Sequence, residues 1–412
     1  MLRLLAIRDA RLFLVGQTLS LFGDTALYLA LGIWVKSLTG SNAAAGLIFF
    51  VLSLPALAAP AAGLLVDRVR RRPLMIATNL LIGPAVLLLL FVHGRDELWL
   101  IYAVTALYGA AGVVFASAQS ALLTVMLPEE LLGEGNAALQ TVREALRIVG
   151  PLTGTGLYAA FGGGFVAVLD AATFGASALC LLALRVAEPV LPRGEHRFRT
   201  ELVAGIRHVL RTTALRQIVF TVALTLLVVG FSETIVFAVV SQGLRRPPSF
   251  LGVLSSVQGL GAIAGGLTAA RALRRLGDAR VIALGIGLFA LGSLLLISGA
   301  LAIVLAGFLI AGAGLPWVVV GFGTALQRRT PADLQGRVYS AADTMVGTPQ
   351  TISIALGAAL STVVDYRILV ATLAVVAAAC AAYLFTRRVE APVPAPLGLS
   401  RVSTARPGGG ST

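Results

Sequence analysis

Gly63-Leu-Leu-Val-Asp67-Arg68-Val-Arg-Arg71-Arg72 separates two apolar runs, and Gly266-Leu-Thr-Ala-Ala270-Arg271-Ala-Leu-Arg274-Arg275 separates two more. The offset that carries Gly63 onto Gly266 also carries Pro128-Glu-Glu-Leu131-Leu-Gly133 onto Pro331-Ala-Asp-Leu334-Gln-Gly336. Two unrelated loops agreeing on one offset mark an internal duplication. Glycine and three arginines match in the first pair of loops, while Asp67 becomes Ala270 in the second copy.

Around these loops the chain is greasy. Of 412 residues 58% are hydrophobic and only 12% charged, with a mean hydropathy of +0.92. A soluble domain carries roughly a quarter charged residues, so most of this chain is built to face lipid. A spanning helix needs about 20 apolar residues and satisfies its own backbone hydrogen bonds. Runs of that kind predict an all-α membrane protein with twelve transmembrane helices, near 12–35, 43–66, 74–93, 98–121, 137–160, 163–185, 215–240, 250–272, 279–298, 300–323, 341–363 and 367–386. Arg3, Arg8 and Arg11 precede the first run, which is too long for a signal h-region and reads as an uncleaved span.

The formal net charge of +13 reflects topology rather than a nucleic-acid partner. With the N-terminus in the cytoplasm, only Lys36, Arg95, Arg245, Arg246 and Arg367 of the 32 Lys and Arg residues fall on the outer side. That asymmetry predicts a multi-pass protein of the inner (plasma) membrane with both termini cytoplasmic. The division expected is a bundle over 1–186, a cytoplasmic linker over 187–213, a second bundle over 214–386, and a disordered Pro/Gly/Ser-rich tail over 387–412. In the linker, Phe198, Leu202, Ile206 and Val209 recur at helical spacing opposite arginines, as in a helix lying on the membrane surface.

The chemistry a catalyst would need is missing from the sequence. The one lysine, Lys36, follows Val35, so no P-loop exists. His93, His196 and His208 are scattered, Cys180 and Cys380 lie in apolar runs, and no Gly-x-Ser-x-Gly elbow occurs. The reading is a non-enzyme without cofactor or metal, whose partners are a small-molecule substrate, protons and the bilayer, acting as a monomer.

An ionisable group in hydrocarbon costs about 2.5–3.5 kcal/mol or more, which makes each one a functional candidate. Gln17, Ser20, Asp24 and Tyr28 form a polar stripe on one face of the first span. Loss of hydration disfavours the charged form of a carboxyl, so an acid on that stripe can take up and release protons; the alternative is a helix-packing hydrogen bond. Glu233 occupies the repeat-related seventh span. Glu144 and Arg147, one turn apart, read as a structural ion pair or, alternatively, as a carboxylate with its modulating cation. Asp170 in the sixth span, as a cap or a packing anchor, and Asp343 complete the set.

Gly63-x3-Asp67-Arg68-x3-Arg72 resembles the signature loop of the major facilitator superfamily, with Arg70 in place of its second glycine. Gly16-Gln17, Ser20 and Gly23-Asp24, then Pro128, Leu132-Gly133 and Asn136-Ala137, and Gly336-Arg337-Val338 narrow the likeness. They are similar to the twelve-span drug/proton antiporter group that includes macrolide-efflux and siderophore-export proteins. The resemblance implies the major facilitator fold: two six-helix bundles around a cavity, open alternately to each side, with substrate bound near the midplane. It also implies a conformational gate in which Asp67 accepts from a helix N-terminus and from arginines, with Gly63, Arg68, Arg71 and Arg72 around it. Gly150-Pro151-x2-Gly154 resembles part of a motif of proton-coupled exporters. Leu146 departs from its upstream glycine, and Thr105 stands where many proton antiporters carry an arginine.

The expected function is export of a small amphipathic or hydrophobic molecule by proton antiport. Import of a metabolite, or a non-transporting scaffold or sensor on the same fold, are the alternatives. One proton supplies about 2.3 kcal/mol per 100 mV and about 1.4 kcal/mol per pH unit.

Overall fold

The computed structural model describes residues 4, 6–58, 66, 69–186, 188, 198–331 and 334–387. Among these, α1 (Arg8–Thr39) ends at Gly40, whose φ of 72° turns the chain at once into α2 (Asn42–Ser53). Ser41 caps α2 by accepting from Ala44 N at 3.2 Å, and a short 3-10 turn, Leu54–Ala58, continues it. Then come α3 (Arg71–Leu87), α4 (Leu98–Met126) and α5 (Glu129–Leu182). The last is two antiparallel arms, folded back at Gly162, where φ is +79° and an L side chain would be strained. After α6 (Phe198–Arg211) follow α7 (Thr213–Val229), α8 (Ser232–Ala238), α9 (Leu251–Leu276), α10 (Asp278–Leu295), α11 (Leu301–Arg328), α12 (Gln335–Leu360) and α13 (Tyr366–Thr386). Nine helical stretches among the described residues are long and apolar enough to cross a membrane, one of them holding both arms of α5.

Two expectations are corrected. The seventh span is not one helix: it breaks at Gly230–Phe231, restarts as α8, and ends in a π turn over Val239–Gly243. The cause is local. Gly230 lies against the backbone of Gln350 and the side chain of Ser353 on α12, with Ser353 Cβ 2.7 Å from where a Cβ would stand. Breaks of this kind gather at functional sites, and Glu233 sits in the first turn after it. The linker helix α6 does not lie free on the membrane surface: part of its apolar face packs on protein. Val209 is fully buried in the core of the second half, Gly205 lies against the Arg337 backbone of α12, and His208 Nε2 is 3.2 Å from Arg329 O. Leu202 and Ile206 on the same face are only partly buried.

The buried clusters locate the opening between the halves. At the end where α3 and α10 begin, each half has its own core: Ala10, Phe13, Met75 and Leu122 in the first, Ile218, Ile282, Ala325 and Val338 in the second. At the opposite end one cluster joins both halves, running from Ile33 and Phe49 to Phe237, Leu254, Val304 and Val370. The Phe49 and Phe237 rings stack with centroids 6.0 Å apart. The halves are therefore sealed at the arginine-poor end, and the described residues place no shared core at the arginine-rich one.

The gate residues divide. Gly63, Asp67 and Arg68 lie outside the described residues. Arg71 and Arg72 are committed to their own half: their backbone N–H groups donate to the Glu188 carboxylate at 2.6 and 2.8 Å, and the Arg72 guanidinium donates to Leu181 O and Leu182 O. Glu188 thus caps α3, where its charge meets the positive end of the helix dipole. In the second half, Asp278 opens α10, accepts from Ala279 N at 2.7 Å, and pairs with the buried Arg329 guanidinium. Replacing Glu188 by Ala is expected to remove about 1 kcal/mol and lower the thermal midpoint of the detergent-solubilised protein by about 2 °C; an unchanged midpoint would deny Glu188 its capping role.

Candidate functional site

Between the halves lies a cavity of about 600 Å³ lined by helices from both. Asp24 and Tyr28 of α1, Phe49 of α2, Tyr108 of α4 and Arg147 of α5 form one wall. Glu233 of α8, Gln258 of α9, Phe289 of α10, Phe308 of α11 and Gln350 of α12 form the other. The wall is mostly aliphatic and aromatic with a few polar groups, as ligand cavities are.

The stripe on α1 is distributed along its length. Tyr28 and Asp24 reach the central cavity; Gln17 and Ser20, 2% and 4% exposed, turn into the first half. Asp24 is half-buried, and its Oδ1 accepts from the Tyr108 hydroxyl. Asp170 is completely buried behind Asp24 and lines neither this cavity nor the smaller one. It packs against Gly23, where any Cβ would strike Asp170 Oδ1 and Thr173 Oγ1. Its Oδ1 accepts from the Thr173 hydroxyl at 3.5 Å, which holds the carboxyl against α1. Sequence reasoning passed over Tyr108, although it is a polar group one turn from Thr105 in an apolar helix.

Across the interface, Tyr28 Oη donates to Glu233 Oε2 at 3.4 Å, so the stripe on α1 touches the acid after the α7–α8 break. Arg147 lines the cavity beside them. Its partner Glu144 lies 3.6 Å away, outside the cavity wall, and accepts from Gln140 at 2.7 Å. Both side chains of that pair are about half exposed, which limits its contribution to stability to about 0–1 kcal/mol. Asp343 is exposed on α12. Asp24, Tyr28, Arg147 and Glu233 are thus brought together, while Glu144, Asp170 and Asp343 are not among them.

Beside the central cavity is a second chamber of about 140 Å³ that shares Asp24 and Tyr108 with it. Gln17, Asn79, Gln119 and Arg143 line it. Arg143 donates to Gln119 Oε1 at 2.9 Å, and Gln119 Nε2 donates to Gln17 Oε1 at 2.5 Å. Asn79, Gln119 and Arg143 were also missed; two amides and a guanidinium inside apolar runs were their signal.

Two bundles of membrane-length helices sealed at one end around a cavity with a few intramembrane charges define a membrane transporter. The sequence profile of the Major Facilitator Superfamily matches residues 13–245 and 222–406, and the chain belongs to that family. It is 26% identical over 363 residues to the uncharacterized MFS-type transporter YfiS of Bacillus subtilis, covering 84% of this chain and 85% of that one. Over 146 residues it is 30% identical to macrolide efflux protein A of Streptococcus pyogenes, covering 35% of this chain and 36% of the relative. Among solved structures, a bacterial homologue of the iron transporter ferroportin in its inward-facing state superposes with a TM-score of 0.72 at 16% identity, over 92% of this chain and 99% of that one. The outward-facing state of that homologue gives 0.61 at 17% identity, over 92% of this chain and 100% of that one. The likeness shows the fold.

Proposed function

We propose that this transporter exports a small amphipathic molecule, driven by proton entry, by alternating access. The observation that carries the reading is that Asp24 and Glu233, one acid from each half, stand on the wall of one largely apolar cavity. A carboxyl there gains and loses a proton as the cavity changes sides, and its charge competes with or assists the cargo. The arginine-rich end is read as cytoplasmic by the positive-inside rule, so the cavity, sealed at the other end, loads from the cytoplasm. The partial likeness to macrolide efflux protein A supports the outward direction. In this reading the Asp67 loop, with Gly63 and Arg68, latches the alternative conformer, and Arg71 and Arg72 hold α3 in place for it.

The test is efflux of a fluorescent lipophilic dye from preloaded cells overproducing the protein. Export against a gradient that stops when a protonophore is added is the expected result. Dye retention equal to that of cells lacking the protein removes the export reading, and efflux indifferent to the protonophore removes proton coupling.

A further inference from the structure

We infer that the side chamber receives the polar head of the substrate, making the site bipartite: an apolar body in the large cavity and, beyond Asp24, a head that both donates and accepts hydrogen bonds. The ligand class is an amphipathic amine bearing a hydroxyl or amide. This rests on the central cavity being the substrate site.

Three observations point there. Asp24 and Tyr108, hydrogen-bonded to each other, line both chamber and cavity, so the two spaces adjoin at that pair. Gln17 and Asn79 are each 2% exposed, and Gln17 Nε2 and Asn79 Oδ1 find no hydrogen-bond partner among the described residues. The hydrogen-bond chain fixes which atom of Gln17 is left over. Arg143 has only donors, so Gln119 must turn its oxygen to Arg143 and its nitrogen to Gln17, whose own oxygen is then used. Asn79 Nδ2 is used by Ser177 Oγ at 3.0 Å. Gln17 and Asn79, which leave one donor and one acceptor unpaired, therefore both belong to the wall of the same small chamber. Buried polar groups are nearly always paired, and a hydroxyl or amide, unlike a hydrocarbon, satisfies both. The carboxylate at the neck suits the amine.

Three fluorescent naphthyl probes separate body from head: propranolol, with amine and hydroxyl; deoxypropranolol, with the amine alone; and 1-butoxynaphthalene, with neither. Binding is measured to the purified full chain in nanodiscs, without a proton gradient. Propranolol should bind about tenfold more tightly than deoxypropranolol, since a lost buried hydrogen bond leaves its partners unpaired. Asn79→Leu and, separately, Gln17→Met should erase that difference while leaving 1-butoxynaphthalene binding unchanged, which also reports an intact fold. Equal affinity for propranolol and deoxypropranolol, absence of propranolol binding, or a hydroxyl effect that survives both substitutions overturns the inference. Equal affinity is also the outcome if the chamber, large enough for four or five waters at about 30 Å³ each, holds water only. Should Asn79→Leu fail to fold, Gln17→Met and the wild-type comparison decide alone. Head-group selectivity with dye retention equal to that of cells lacking the protein would sink the export reading and spare this one.

Discussion

Asp24→Asn is expected to abolish uphill efflux while leaving a folded protein in the membrane that lets its substrate equilibrate downhill. Asparagine keeps the shape of the side chain and the oxygen that accepts from Tyr108, so packing of α1 against α4 survives. What disappears is a group that can exchange a proton at the junction of the two chambers. The thermodynamic consequence is large. One proton moving down about 100 mV and one pH unit releases roughly 3.7 kcal/mol, enough to sustain a concentration ratio of a few hundredfold. Without a proton carrier that ratio should collapse to about one. The readout is the steady-state gradient of a lipophilic dye in energised vesicles, with probe binding as the control for folding. A wild-type gradient in the variant would take Asp24 out of the coupling and leave the transporter fold standing.

Much of this architecture could be read from one-dimensional pattern, because lipid imposes a simple rule: an apolar run of membrane length becomes a helix. The turn at Gly162, the membrane-length runs and the polar stripe of α1 all follow from local sequence. What escaped was pairwise and long-range. Glu188 caps α3 from 116 and 117 residues away, and nothing near either position announces it. Tyr108 meets Asp24 only because α4 packs beside α1. The apolar face of α6 was legible, yet periodicity cannot tell lipid from α12 as its cover; Val209 in the second-half core settles that. The glycine at the break before Glu233 is likewise matched to a distant neighbour, since α12 lies where a Cβ of residue 230 would stand. The candidate acids were visible as charges in apolar runs; which of them share a cavity depended on the fold.

The seal at the arginine-poor end makes a second prediction, because it is built on residues with no room to spare. Gly46 of α2 faces Thr234 of α8, and a Cβ at Gly46 would stand 2.7 and 2.8 Å from Thr234 Cβ and Cγ2. Thr234 is fully buried and Phe237, one turn on, carries the stack with Phe49. Gly46→Leu forces side-chain bulk into this joint only while the halves touch there. In the conformer that opens at this end, α2 and α8 separate and the leucine has space. Overpacking costs about 1–3 kcal/mol, so a penalty of about 2 kcal/mol on the sealed conformer alone shifts the balance roughly thirtyfold toward the opposite opening. Transport, which must visit both conformers, should fall steeply although neither chamber has been touched. With Cys180 and Cys380 replaced by serine, a Ser255→Cys substitution places one thiol on the cavity wall. A membrane-impermeant maleimide added to the side of the arginine-poor end should then label Gly46→Leu at least tenfold faster than its parent. From the arginine-rich side the same reagent should label it more slowly, with Gly46→Ala between the two. Equal labelling from both sides in parent and variant would mean that this joint does not govern which end of the cavity is open.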